Sequence, residues 1–134
     1  MKVHIFNGFW KVYDVRKYNN YIFVYGDNDK KYGLGGQAII RNEINTHGIP
    51  TKKCPDCDAS SYYTDDDFEE NKIKINNAID TLIKRLESGY YNGIILPENG
   101  LGTGLAKLPK KAPKTFQFLN KRMDELKKLI ESMD

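Results

Sequence analysis

Residues 21–41 pass from a strand pattern through a polar turn into a helix pattern, and this stretch restricts the fold more than any other. Tyr21-Ile22-Phe23-Val24-Tyr25 is a β-branched and aromatic run. A polar segment with Gly33, Gly35 and Gly36 follows, then the apolar-polar pattern of Gln37-Ala38-Ile39-Ile40-Arg41. The order strand, glycine loop, helix suits a phosphate. Glycines let the backbone approach a ligand closely, and the unpaired N–H groups of a first helical turn are donors at the positive end of a dipole. The design recurs in Gly93-Ile94-Ile95-Leu96-Pro97, then Glu98-Asn99-Gly100-Leu101-Gly102-Thr103-Gly104-Leu105-Ala106-Lys107, then a helix pattern. A single glycine turn often serves the chain alone. Two of them after strands, where open α/β sheets gather ligands, point to a phosphate-bearing ligand held jointly.

A chain of 134 residues with no internal linker is expected to form one domain, 1–134, large enough for a core without disulfides or a structural metal. The start of the chain reads as a strand rather than a signal peptide, and no run approaches a membrane span. The expectation is a monomeric cytoplasmic protein with no membrane partner. A net charge of +3, from 21 basic and 18 acidic residues, is too mild to argue for nucleic acid by itself. The only cysteines, Cys54 and Cys57, share a polar, proline-containing loop. Zinc would need ligands from His4, His47 or carboxylates, and a redox pair would open a helix after a strand; a plain loop pair is the remaining reading. No metal site and no cofactor are expected.

The remaining pattern is of strands alternating with helices. Strands are predicted at Lys2–Phe6 and Trp10–Val15 around an Asn7-Gly8 turn, from Tyr21, over the short extended Gly48–Lys52, and at Gly93–Pro97. A helix is predicted over Gln37–Asn45, ended by His47-Gly48. Thr64 resembles an N-cap with Asp65, Asp66 and Asp67 against the dipole of a helix running to about Glu87. Phe68, Ile75, Ile79, Leu82, Ile83 and Leu86 share one face of it. The last helix, approached through Pro109–Lys111, carries the stripe Phe116, Leu119, Met123, Leu126 and Ile130. These parts imply an α/β domain with a mixed, partly parallel sheet.

The order of these motifs resembles the macrodomain family, and within it the branch of terminal ADP-ribose protein glycohydrolases. The match runs over roughly residues 21–123 and is best at Pro97 with Gly100 to Leu105, and next at Gly33 to Ala38. The resemblance implies a three-layer α/β/α fold and a cleft for ADP-ribose or an ADP-ribosylated macromolecule, a modified nucleic acid among them. It implies that Asn28 with Gly33, Gly35, Gly36 and Gln37 lies against the distal ribose and a phosphate. Asn99, Gly100, Gly102, Thr103, Gly104 and Leu105 would wrap the diphosphate, and Asp14 would meet adenine. The sequence differs from the branch at Ala106, where an acid is usual, and at Ser60-Ser61-Tyr62-Tyr63, where a nucleophilic lysine precedes the long helix.

Hydrolysis at the ribose C1 needs a group that activates water and charge that stabilises an oxocarbenium-like state. Asp27, Asn28 and Glu98 stand in the two loops, and Lys52 ends a strand. Each also has an ordinary reading: Asp and Asn bond their own turn, a glutamate after a proline is solvated, and a lysine snorkels. Tyr32 and the Tyr62-Tyr63 pair are candidates to pack on a base or ribose, whereas Tyr25 and Phe68 read as core. Two other classes remain open: a non-catalytic binder that sequesters an ADP-ribose-derived or other nucleotide signal, and a nucleic-acid or protein adaptor using Lys107, Lys110, Lys111 and Lys114.

Overall fold

The computed structural model describes residues 1–56 and 58–133. The Cys54–Cys57 reading therefore falls partly outside the described residues, since Cys57 is not among them. Strands β1 (Lys2–Phe6), β2 (Ile22–Asn28), β3 (Thr46–Lys52) and β4 (Gly93–Pro97) form one sheet in the order β1-β4-β2-β3. Its helices are α1 (Val12–Lys17), α2 (Phe68–Glu87), the short α3 (Leu108–Lys111) and α4 (Pro113–Ser132).

Period-two alternation sends β2 side chains to two separate cores. Ile22 and Val24 join Ile94 and Leu96 of β4 under α2 and α4. Phe23 and Tyr25, with Ile95, pack on the opposite face against Trp10, Val15 and Ile40. On the first face, Ile75, Ile79, Leu82 and Leu86 of α2 meet Leu119, Met123, Leu126 and Ile130 of α4, as the three- and four-residue spacing predicts. Each such side chain contributes about 1.5–3 kcal/mol relative to exposure, against about 0–1 kcal/mol for a surface pair such as Lys72–Glu69, so packing fixes where the helices lie.

Four expectations are corrected. The pairings among the four strands are all parallel rather than mixed; the antiparallel contact among the described residues is an isolated bridge, Lys52–Tyr62. Residues 12–17 are helical instead of continuing a Trp10–Val15 strand, because the Asp14 carboxylate accepts the Lys11 N–H at 2.7 Å and closes a first turn that buries Val15. The helix predicted over Gln37–Asn45 is a single 3-10 turn, Gly36–Ile40. Side-chain bonds compete with its continuation: Thr46 Oγ1 donates locally to Glu43 O at 2.8 Å, and Asn45 Nδ2 donates to the sequence-distant Val15 and Tyr21 carbonyls, each at 3.0 Å. His47 and Gly48 consequently lie inside β3, with Pro50, on the edge of the sheet where a missing N–H is tolerated. Thr64 does stand before a helical turn, but the turn is 3-10, Asp65–Asp67, and no side-chain bond from Thr64 caps it.

No helix among the described residues is long and apolar enough to cross a membrane.

Candidate functional site

Strands β2 and β4 are neighbours and parallel, so the two glycine loops leave the same end of the sheet. Gln37 joins them directly. Its Oε1 accepts the Gly26 N–H at 2.8 Å and its Nε2 donates to Gly100 O at 3.0 Å, while its own carbonyl accepts Trp10 Nε1–H at 2.9 Å. Leu105 from the second loop lies over the first; a Cβ on Gly35 or Gly36 would come within 3.2 Å of its Cδ1. Between the loops runs a cleft of about 740 Å³, lined by Phe9, Gly35, Gly36, Asn99 and Gly102 to Ala106. Among the described residues, the N–H groups of Leu34 and Gly35 on one loop and of Gly102, Thr103, Gly104 and Leu105 on the other donate to no protein acceptor. Gly35 and Gly102 to Leu105 line the cleft, so unpaired donors of both loops border one space, with Leu34 next to it in the chain.

A second, smaller cavity of about 90 Å³ continues under Leu105 and shares Gly26, Gly35, Thr51 and Ala106 with the cleft. Asp27, Asn28, Arg41 and Lys52 wall it. In a regular strand Asp27 and Asn28 would face opposite ways. The β2–β3 register slips between them, Asp27 pairing with Pro50 and Asn28 with Lys52, and this irregularity brings both pairs of neighbours to one cavity. Thr51, the residue skipped, donates Oγ1–H to Asp27 O at 3.2 Å.

Asp27, 8% exposed, forms an ion pair with Arg41 at 2.7 Å and accepts the Asn28 N–H at 2.7 Å. Gly48 makes room for it: a Cβ there would sit 2.6 Å from Asp27 Oδ2. Burial opposes the Arg41 charge, but the hydrogen bond and attraction of Asp27 outweigh it and raise the guanidinium pKa above its ordinary value. Arg41 also donates Nε–H to Gly33 O at 3.0 Å and Nη2–H to Tyr32 O at 3.2 Å, so the first loop hangs on it. Asn28 Nδ2 donates to Tyr32 O at 2.9 Å, leaving the buried Asn28 Oδ1 with no hydrogen-bond partner. An orphaned buried acceptor invites a donor from a ligand. Burial, with the nearby Asp27 charge, pushes the Tyr25 hydroxyl up to about 12.

Lys52 is 6% exposed, and its ammonium donates to the Pro55 and Asp56 carbonyls. No carboxylate pairs with it among the described residues. Tyr62 lies beneath it, ring centroid 4.8 Å from Nζ, and is covered on that account rather than offered to a ligand. Tyr63 is core: its hydroxyl donates to Asp29 Oδ1 at 2.5 Å, and burial first, then that bond, raise its pKa. Tyr32, 60% exposed, stands on the rim of the small cavity.

The remaining predicted residues lie farther out. Glu98 accepts the Gly8 N–H at 2.8 Å on the outer side of the second loop, beside Asn99, whose carbonyl accepts Thr103 Oγ1–H at 2.9 Å. Asp14 is occupied at the start of α1 and lines none of the cavities described here. Asp65 and Asp67, from the triple aspartate, take the Lys114 N–H and the Lys53 ammonium. Sequence reading missed Arg41, Thr51 and Phe9. A carboxylate as buried as Asp27 demands a cation, which pointed to Arg41 once burial was known. Phe9, 92% exposed at the cleft, carried no periodic signal.

A family model described as a family of unknown function (DUF7831) matches residues 5–122, and the chain belongs to that family. No curated protein and no solved structure matches the chain.

Proposed function

We propose that this DUF7831 member binds ADP-ribose, or the ADP-ribosyl group of a modified macromolecule, across the glycine-lined cleft of a macrodomain-like three-layer fold. The observation that carries the reading is that residues with unpaired N–H groups, on two loops remote in sequence, line one cleft beyond the carboxyl ends of β2 and β4. A diphosphate supplies acceptors to both sets at once. The orphan Asn28 Oδ1 then takes a ribose hydroxyl in the small cavity, and exposed Phe9 offers a face to the base. The cleft volume of about 740 Å³ is in the range of nucleotide-sized sites. The protein is envisaged as a cytoplasmic monomer.

The catalytic form of this reading has Asp27 activating water at C1, with Asn28 orienting the sugar. Capture without turnover is the second reading. It is favoured by the Arg41 ion pair, which ties up the Asp27 carboxylate, and by Ala106 at the position where the glycohydrolase branch carries an acid. Isothermal titration with ADP-ribose tests binding: saturable heat supports it, whereas no heat and no thermal stabilisation at millimolar ligand sink it. Release of ADP-ribose from modified protein or nucleic acid tests catalysis. Asn28→Ala and Asp27→Ala should abolish release; undiminished turnover in both removes these residues from the mechanism.

A further inference from the structure

Residues 106–114, Ala-Lys-Leu-Pro-Lys-Lys-Ala-Pro-Lys, hold four lysines and no acid. All four are exposed, and among the described residues none of their ammoniums forms an ion pair, although seven other basic side chains do. Asp65 is spent on the Lys114 backbone N–H. The arrangement is convergent as well as uncompensated. The Nζ atoms of Lys52, Lys107 and Lys111 stand 4.8, 5.8 and 5.1 Å from the centroid of one ring, Tyr62, itself buried. Like charges gathered around one aromatic ring repel one another, and the ring quadrupole offsets only part of this. An anion lying across them relieves the remainder.

Lys52 belongs both to this cluster and to the wall of the small cavity, so the basic surface begins where the cleft ends. A single phosphate needs fewer charges than the lysines of residues 106–114 provide. Exposed Tyr32, on the rim of the same cavity, supplies a face on which a nucleobase stacks, which favours a nucleic-acid strand over an acidic peptide. We infer that the surface formed by Lys107, Lys110, Lys111 and Lys114 beside the cleft binds the phosphodiester backbone of a single-stranded nucleic acid. This rests on the proposed function only in naming the strand as the bearer of the ADP-ribosyl group.

The test is fluorescence anisotropy of the full chain with an unmodified, labelled single strand of about 12 nucleotides, at salt from about 50 to 200 mM. The expected result is affinity that falls steeply with salt. The Lys107→Gln/Lys111→Gln double variant should bind roughly tenfold more weakly, with a log–log slope shallower by about 1.4, or about 0.7 for each lost phosphate contact. Lys121→Gln/Lys128→Gln, equal in net charge and on exposed positions of α4, should bind like the wild type. Equal losses in both double variants, no salt-dependent binding, or displacement by polyglutamate as readily as by unlabelled strand would overturn the inference, the last in favour of an acidic polypeptide. Titration with ADP-ribose separates the two proposals. The Lys107→Gln/Lys111→Gln variant should retain that heat, and a wild type that binds the strand but gives no heat defeats the proposed function alone.

Discussion

The Gln37 side-chain amide donates to the Gly100 carbonyl at 3.0 Å, a bond between residues 63 positions apart that fixes the spacing of the two glycine loops. Its other end holds the Gly26 N–H. Gln37→Ala removes both bonds and should destabilise the fold by about 1–3 kcal/mol. Gln37→Glu keeps the acceptor for Gly26 but loses the donor to Gly100. Urea unfolding with ADP-ribose titration checks this: both variants should bind more weakly, and unaltered affinity in both would mean that loop spacing does not matter.

Asp27 is buried and Arg41, its side chain 12% exposed, is half-buried against it, so each answers the other's charge. Arg41→Met leaves a buried carboxylate uncompensated and should cost about 3–5 kcal/mol. Adding Asp27→Asn removes that charge and should recover much of the loss. A double-mutant cycle from urea midpoints measures the coupling, and strictly additive effects would contradict the pairing.

Acid should weaken the fold through His47. Its Nε2–H donates to Ala78 O at 2.7 Å and its Nδ1 faces Arg85 Nη1 at 3.1 Å, the pattern of a neutral ring. Burial, with Arg85 and Lys31 nearby, lowers its pKa despite the Ala78 bond. The unfolded chain therefore takes up a proton first as pH falls below about 6.5, and stability drops through that window while remaining unaffected above it. His47→Gln retains a donor for Ala78 and should flatten the slope between about pH 7 and 5. Identical slopes in both proteins would exclude His47 as the source.

Two glycines of the second loop should respond differently to alanine. Gly102 has φ of +79°, and a Cβ there would meet Leu108 Cδ2 at 2.9 Å, so Gly102→Ala should cost about 1–3 kcal/mol. Gly104 has nothing within 4 Å of the added carbon. Gly104→Ala should fold like the wild type but hold a diphosphate less closely. Thermal midpoints with and without ADP-ribose separate these effects; a Gly104→Ala protein stabilised by ligand as strongly as the wild type would argue against close approach there.

Where local pattern and tertiary role coincide, the fold was readable. Lys2–Phe6 and Gly93–Pro97 match their predicted bounds because they combine strand residues with turn or proline stops, and the apolar faces of α2 and α4 were legible because they repeat at helical spacing, although α2 begins only at Phe68, after the 3-10 turn. The edge strand β3 was obscured by His47, Gly48 and Pro50, residues that an edge position tolerates but propensity disfavours. Trp10–Val15 imitates alternation, but the chain turns helical from Val12, with the Lys11 N–H held by Asp14 and Val15 buried in the second core. The meeting of the glycine loops was legible from their order after strands. The slip between Asp27 and Asn28, the burial of Tyr62 beneath lysines and the role of Arg41 depend on contacts between distant segments that no local pattern encodes.

The most direct measurement is a ¹H–¹⁵N correlation spectrum of the full chain titrated with ADP-ribose. The expected result is that the amides of Leu34 and Gly35 shift along with those of Gly102 to Leu105 and saturate at the same ligand concentration. Shifts confined to one loop, or none at millimolar ligand, would contradict a diphosphate held between the two.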